Sequence, residues 1–155
     1  MTAALARPVE SRITLRRAEP GDCQRVHDYN FSADARAVSG STAAVSYADH
    51  ARWFGNRLAD RAAPIWIVEH GGAPIGTVRI DVRDGATARI SIALEAAGRG
   101  NGNGRRAVEL ACASWKGPVI AEIHPANARS RTCFLACGFA QVGTRDGFDV
   151  LSWTP

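Results

Sequence analysis

Apolar and polar positions in the first third of the chain predict one strand and two helices. Ile13 to Arg16 is typical of a strand, and Pro20-Gly21-Asp22 opens a short helix. Residues 31–45 are small and polar, which predicts a loop. A second helix begins at Ser46, because a serine hydroxyl can cap the free N–H groups of a first turn. Its apolar side chains form one stripe with helical spacing: His50, Trp53, Phe54 and Leu58.

The middle of the chain changes to the periodicity of strands. Ile65 to Val68 is continuously apolar, as in a central strand, and Gly71-Gly72 follows as a turn. From Ile75 to Val82 apolar and polar residues alternate, and Asp84-Gly85 is a strong hairpin signal. The next strand carries its apolar residues on one face: Ile90, Ile92 and Leu94. Three antiparallel strands in sequence are therefore expected.

The last third of the chain alternates helices and strands after a glycine-rich loop at Gly98 to Gly104. A helix is expected from Arg105 to Trp115, a strand from Val119 to Ile123, and a helix from Asn127 to Cys137. Gly138 provides the C-terminal cap of that helix, since glycine accepts a left-handed backbone. The final residues can form a hairpin around Asp146-Gly147.

Size and composition indicate one globular domain. The chain has 155 residues, of which 46% are hydrophobic and 22% charged, enough to bury a core without disulfides. The order of elements predicts an α+β domain with a mixed, mostly antiparallel sheet flanked by about four helices. We expect this domain over residues 12–155, after a flexible tail at residues 1–11. No apolar run approaches a membrane span, so no membrane association is predicted.

The cysteines and the charge narrow the classes of ligand. None of the four cysteines forms a Cys-x-x-Cys pair, so no metal site is predicted, and a reduced cytoplasmic protein is the default. The formal net charge is +4, and Lys116 is the only lysine among 19 basic residues. The arginines are scattered and not interleaved with aromatic residues, so no nucleic-acid partner is predicted. Arginine also suits phosphate geometry, which points to a phosphorylated ligand.

The glycine-rich loop is the strongest functional signal. A helix N-terminus presents unpaired N–H groups, and glycine lets a phosphate approach the backbone closely. A simple turn needs one or two glycines, whereas this loop has four: Gly98, Gly100, Gly102 and Gly104. The Walker pattern fails because Arg105 and Arg106 follow the last glycine, and the dinucleotide pattern G-x-G-x-x-G fails in spacing.

One family pattern does fit the loop. Arg99-Gly100-Asn101-Gly102-Asn103-Gly104 has the form R-x-x-G-x-G. Downstream, Asn127, Phe134 and Gly138-Phe139 are similar to a segment N-x6-Y-x3-G-F, with phenylalanine at the tyrosine position. The two segments, in this order, resemble the GCN5-related N-acetyltransferases over roughly Ile13 to Trp153.

The resemblance implies acetyl-CoA as cofactor and a set of residues that bind it. These are Ile92, Ala93, Leu94, Arg99, Gly100, Asn101, Gly102, Asn103, Gly104, Arg105, Asn127 and Phe134. The backbone of the first three would hold the pantetheine like an added strand, and the loop amides would take the pyrophosphate. Asn127 would bind the pantetheine arm, although it is also suited to be a plain helix N-cap.

Acetyl transfer to an amine also needs a base, because an alkyl ammonium is only about 0.1% neutral at pH 7. Glu122 and His124 lie on one face of their strand by period-two alternation. In the subgroup that acetylates protein N-termini, a glutamate stands five residues before the motif asparagine, as Glu122 does here. Phe134 cannot protonate the departing thiolate as a tyrosine would; water, Ser130 or Cys133 could do so instead.

A narrower resemblance concerns the acceptor. Segments around His50 to Phe54, Ile65 to Glu69 and Gly76 to Asp81 look like acetyltransferases of nucleotide-linked amino sugars, including those of pseudaminic acid biosynthesis. It implies His50, Trp53 and Arg79 as substrate contacts, although Trp53 is better suited to a core position in the stripe of its helix. Acetylation of a protein N-terminus or small amine, and a non-catalytic CoA-binding protein, are the alternatives. A homodimer through the terminal strands is a further expectation.

Overall fold

Seven strands form one sheet in the computed structural model, which describes residues 12–39, 45–82 and 87–155. The strands are β1 (Ile13–Arg17), β2 (Ile65–His70), β3 (Ala73–Val82), β4 (Ala88–Leu94), β5 (Val119–Ile123), β6 (Ala140–Arg145) and β7 (Phe148–Trp153). Their order is β1-β2-β3-β4-β5-β7-β6, and every neighbouring pair is antiparallel except β4 and β5. The predicted α+β class with a mostly antiparallel sheet is confirmed. The predicted tail at residues 1–11 and the Asp84-Gly85 turn lie outside the described residues.

Five α-helices accompany the sheet in the described residues: α1 (Cys23–Phe31), α2 (Ala33–Ala37), α3 (Tyr47–Ala59), α4 (Asn103–Ala113) and α5 (Ala128–Ala136). The prediction of a loop over residues 31–45 is wrong for α2. This short helix forms because the Ser32 hydroxyl accepts the backbone N–H of Ala35 at 3.2 Å and caps its first turn. The remainder of that loop, at residues 40–44, lies outside the described residues.

The two faces of the sheet carry different cores. Helices α4 and α5 cover one face, here called the α4 face, where Val78, Ile80 and Ile90 pack on Val108 and Phe134 in the larger apolar core. Helices α1 and α3 cover the other, here called the α3 face, whose smaller core contains Val26, Phe54, Ile65 and Ile67. Since side chains alternate along each strand, the polar residues of β3 to β5 fall mainly on the α3 face.

The turn signals of the sequence are confirmed where the structure describes them. Gly138 follows α5 with φ of 89°, as expected of a left-handed C-terminal cap. Asp146 and Gly147 both have positive φ, the geometry of a two-residue hairpin turn between β6 and β7. At Ser46 the hydroxyl accepts the N–H of Asp49 at 3.1 Å and caps α3.

Candidate cofactor and acceptor site

The centre of the sheet opens between β4 and β5. Their parallel pairing extends only over Ala88 with Val119 and Arg89 with Ile120. Beyond these pairs both strands continue, and residues 90–94 have no strand partner on the β5 side within the described residues. Ile92, Ala93 and Leu94 therefore lie on a strand edge that faces the opening and has no partner strand there. An extended ligand with amide groups can pair with such an edge as an added strand does.

The glycine-rich loop lies at the open end of β4 and leads into α4. Three consecutive residues, Gly100, Asn101 and Gly102, have φ values of 85°, 55° and 76°. Glycine and asparagine are the residues that adopt this left-handed backbone most readily. Within the described residues, five amides of this segment donate no hydrogen bond: Gly100, Asn101, Gly102, Gly104 and Arg105. Together with the N-terminus of α4 they form a cradle for an anion.

Side chains of the loop fix its shape. Arg99 donates from Nε to the carbonyl oxygen of Leu94 at 3.1 Å and from Nη1 to Asp34 of α2 at 2.9 Å. Asn103 donates from Nδ2 to the carbonyl oxygen of Gly98 at 3.0 Å. In this arrangement Arg99 and Asn103 support the cradle, and the free amides are the groups that remain available to an anion.

Helix α5 packs beside the cradle. Asn127 caps this helix, since its Oδ1 accepts the N–H of Ser130 at 3.2 Å. Its Nδ2 has no hydrogen-bond partner among the described residues and can donate to a ligand, so both roles considered for Asn127 are compatible. A Cβ added at Gly104 would lie 3.4 Å from Cys133 Sγ, which shows how closely the two helices approach. Phe134 is 3% exposed and packs edge-on against Phe139, so the ring belongs to the core.

Of the two candidate bases, Glu122 lies on β5 and His124 directly follows this strand, and the two differ in which side-chain atoms can still accept a proton. Glu122 is partly buried, and its Oε2 lies 3.8 Å from Arg89 Nε. His124 accepts the N–H of Ala126 at Nδ1, at 3.1 Å, so the neutral imidazole carries its proton on Nε2. A ring in that tautomer donates rather than accepts at its outer nitrogen. Glu122 is thus the candidate that keeps proton-accepting atoms.

The predicted substrate contacts on the α3 face have different surroundings. His50 is 2% exposed, its Nε2 lies 3.0 Å from the carbonyl oxygen of Cys23, and burial lowers its pKa. This side chain packs between α1 and α3 and has almost no surface for a substrate. Trp53 is half-buried, with the guanidinium groups of Arg57 and Arg79 at 5.5 Å and 5.4 Å from its ring centroid. Arg79 and Trp53 therefore form one cation–π cluster.

Two residues of the site were not anticipated from the sequence. Arg89 lies beside Glu122, and Asp34 holds Arg99 from α2. Period-two alternation would place Arg89 on the face opposite Ile90 and Ile92. Its neighbour in β5, however, depends on a parallel pairing between strands that are separated by a helix, and no local pattern reveals that pairing.

Membrane-spanning and metal-binding features are both missing from the described part of the chain. None of its helices combines the length and apolarity that crossing a membrane requires. Among the described residues no group of three or more histidine, cysteine, aspartate or glutamate side chains is placed to hold a metal ion.

Comparison with known proteins adds a family and a fold. A model of the acetyltransferase (GNAT) domain matches residues 12–140. Among curated proteins, no relative matches the chain. A solved spermidine N-acetyltransferase from Vibrio cholerae, in complex with CoA and spermine, is 18% identical with a TM-score of 0.77, covering 92% of this chain and 95% of that chain.

Two further solved structures share the fold. Aminoglycoside acetyltransferase AAC(6')-Ib in complex with coenzyme A is 21% identical with a TM-score of 0.75, covering 92% of this chain and 94% of that chain. A putative phosphinothricin N-acetyltransferase is 24% identical with a TM-score of 0.72, covering 90% and 95%. At these identities the likeness establishes the architecture alone.

Proposed function

The chain belongs to the acetyltransferase (GNAT) domain family, and from this premise we propose that it transfers an acetyl group from acetyl-CoA to the primary amine of a small molecule. The observation that carries the proposal is the opening between β4 and β5 beside a cradle of free amides. One part offers a strand edge and the other an anion site, which matches a ligand with an amide-containing arm and a pyrophosphate.

Cofactor binding divides between these two parts. The backbone of Ile92, Ala93 and Leu94 pairs with the pantetheine, and Nδ2 of Asn127 donates to the same arm. The amides from Gly100 to Arg105 bind the pyrophosphate, assisted by the partial positive charge of the α4 N-terminus. The thioester then lies between β4 and β5, close to Glu122.

Glu122 acts as the base in this proposal. Keeping an alkyl amine neutral at pH 7 costs about 4 kcal/mol, because its pKa lies near 10. The carboxylate takes the proton from the ammonium, and the amine nitrogen attacks the thioester carbonyl carbon. The second proton of the attacking nitrogen would then pass to solvent as the amide forms, and cleavage of the carbon–sulfur bond would release the thiolate. Phe134 supplies no proton to it, but a thiol pKa of about 8.5 makes the thiolate an adequate leaving group.

The acceptor in this proposal is a nucleotide-linked amino sugar. The segments that resemble acetyltransferases of such sugars lie in α3, β2 and β3, the elements that build the α3 face. Trp53 and Arg79 provide an aromatic surface and a cation there, whereas the buried His50 contributes packing. A protein N-terminus or a small amine is the alternative acceptor, and a non-catalytic CoA-binding protein the alternative function.

Thermal shift and thiol release test the proposal together. Acetyl-CoA at a hundredfold excess over its dissociation constant should stabilise the protein by about 2.7 kcal/mol. Free thiol should appear with a UDP-linked 4-amino sugar as acceptor. Stabilisation by acetyl-CoA without release of free thiol in the presence of any amine would indicate a binding protein. The absence of both stabilisation and thiol release would overturn the proposal.

A substitution tests the base. Glu122→Gln should lower the turnover rate by about 10²-fold at pH 7 and by less at pH 9 to 10, where the free amine is abundant. His124→Asn is the matched control, because asparagine can still accept the N–H of Ala126; its effect should be below about tenfold. A pH–rate profile unchanged by Glu122→Gln would exclude Glu122 as the base.

A further inference from the structure

We propose that the acceptor carries an acidic group, a carboxylate or a phosphate, and that Arg89 binds this group beside the amine with help from Arg79. The inference rests on the proposed function, because both arginines line the acceptor side of the same site. It adds the residues that select for the acidic group, and it extends the acceptors to small amines that carry a carboxylate.

Arg89 is a partly buried cation without a hydrogen bond. Its Nε is buried and has no partner, and none of its guanidinium nitrogens donates a hydrogen bond within the described part of the chain. The closest carboxylate oxygen, Oε2 of Glu122, lies at 3.8 Å, outside hydrogen-bond distance. By contrast, Arg16 donates to Asp22 at 2.7 Å and 2.9 Å. A guanidinium left in this state gains much from an incoming oxyanion.

The carboxylates around Arg89 do not balance the positive charge of its cluster. Arg89 lies directly opposite Asp81 in the register of β3 and β4, yet the Asp81 carboxylate contacts Arg57 and Arg79 instead. Arg79 donates only from Nε, at 3.3 Å, which leaves both its terminal nitrogens free in the described residues. Three guanidinium groups thus share two carboxylates, those of Asp81 and Glu122. The excess is one positive charge in a partly desolvated site.

The same excess acts on Arg79. Burial lowers the pKa of Arg79, Asp81 raises it, and the charges of Arg57 and Arg89 lower it further. The three cations are therefore close enough to repel one another. An anion placed between Arg79 and Arg89 relieves this repulsion and fills the free donors, in the forked geometry that arginine offers to carboxylates and phosphates.

The position of Arg89 also restricts the shape of the acceptor. Its Nε is 3.8 Å from the carboxylate proposed to take the proton from the amine. A substrate that contacts both residues holds its acidic group a few bonds from its amine. An amino acid and a phosphate-linked amino sugar share this chemistry. A polycation would instead meet like charge at Arg79 and Arg89, which selects against it.

Paired acceptors test the selection by charge. The full-length protein is assayed by thiol release with alanine against alaninamide, and with a UDP-linked 4-amino sugar against the methyl glycoside of the same sugar. Spermidine and kanamycin are added as polycationic acceptors, which the cluster of arginines should disfavour. We expect kcat/KM to be about tenfold to hundredfold higher for the acidic member of at least one pair. The pair that shows the preference identifies carboxylate or phosphate as the source.

Variants assign the preference to Arg89. Arg89→Gln should bring the ratio between acidic and neutral acceptors close to one through a higher KM for the acid, while Arg89→Lys keeps part of it. Arg52→Gln, at an exposed position of α3, is the matched control and should keep the ratio. A preference for neutral or polycationic amines, or an unchanged ratio in Arg89→Gln, would overturn this inference and leave the acetyltransferase standing. If none of the amines caused the release of thiol, the proposed function itself would be contradicted.

Discussion

The two faces of the sheet offer a ligand different chemical groups. On the α4 face the core is apolar, and the cradle that leads into α4 consists of backbone amides set by glycines. On the α3 face the polar rows of β3 to β5 carry Arg79, Asp81, Arg89 and Glu122. A ligand common to a whole family can be bound by the shape of a backbone. An acceptor that differs between family members must be selected by side chains, because these can change without altering the fold.

The largest expected effect comes from a substitution on the α4 face, at the contact between β3 and β4. A Cβ at Gly76 would lie 2.4 Å from the carbonyl oxygen of Ala93 and 2.9 Å from Cα of Leu94, and neither atom can move without parting β3 from β4. Gly76→Ala should therefore lower the free energy of unfolding by about 3 kcal/mol, measured by denaturant unfolding, and weaken binding of CoA.

Gly55→Ala is its matched control. This glycine lies inside α3 with nothing within 4 Å of an added Cβ, so alanine should stabilise the protein by about 0.5 to 1 kcal/mol. If the two variants were equally stable, the fold would not require the close approach of β3 and β4 at Gly76.

The next largest effect concerns the ion pairs of Asp22, which join α1 to β1. Asp22 is 3% exposed and accepts hydrogen bonds from Arg16 on β1, from Arg25 on α1 and from the N–H of Glu19. The hydrogen bond from Arg16 leads the effects that hold the pKa of Asp22 at about 2, below its ordinary value of 3.8. Asp22→Asn should therefore cost about 2 kcal/mol at pH 7.

The pH dependence gives this prediction its sign. Because the pKa of Asp22 is lower in the folded state, its contribution is complete above pH 3.8 and disappears as the pH falls toward about 2. Unfolding curves of wild type and Asp22→Asn should thus converge over that interval. A constant difference down to pH 2 would show that packing, and not charge, holds α1 to the sheet.

The same division decides what the sequence could predict. The glycine-rich loop and the helix caps are local features, since Gly98 to Gly104, Ser46 and Gly138 each indicate a turn or a cap within a few residues. The structure confirms a loop before α4, the cap of α3 and the cap of α5. The strand alternation of Glu122 and His124 is local as well, and it is confirmed by the burial of Ala121 and Ile123 between and beside them.

The α3 face, by contrast, is built from contacts between segments that are distant in the sequence. Arg57 reaches Asp81 across 24 residues, and Arg89 reaches Glu122 across the whole of α4. His50 has the right residue type for a substrate contact, but the rings of His27, Phe31 and Phe54 surround it and turn it into a packing residue. Such roles follow from strand order and helix packing, which residue spacing does not specify.

The smallest expected effect is a test of whether the cofactor side needs a side-chain acid. Phe134→Tyr restores the hydroxyl of the motif that the sequence resembles, at a position that is 3% exposed and packed against Phe139. The free energy of unfolding should change by less than about 1 kcal/mol if the added hydroxyl reaches the opening between β4 and β5. If the thiolate leaves unaided, kcat should change by less than about threefold at pH 7. A general acid can contribute about 10²- to 10⁴-fold, so a rise beyond tenfold would show that protonation of sulfur limits the reaction. In that case the reaction would depend on a side chain of the α4 face as well. The contrast between backbone groups on the α4 face and side chains on the α3 face would then hold for ligand binding but not for catalysis.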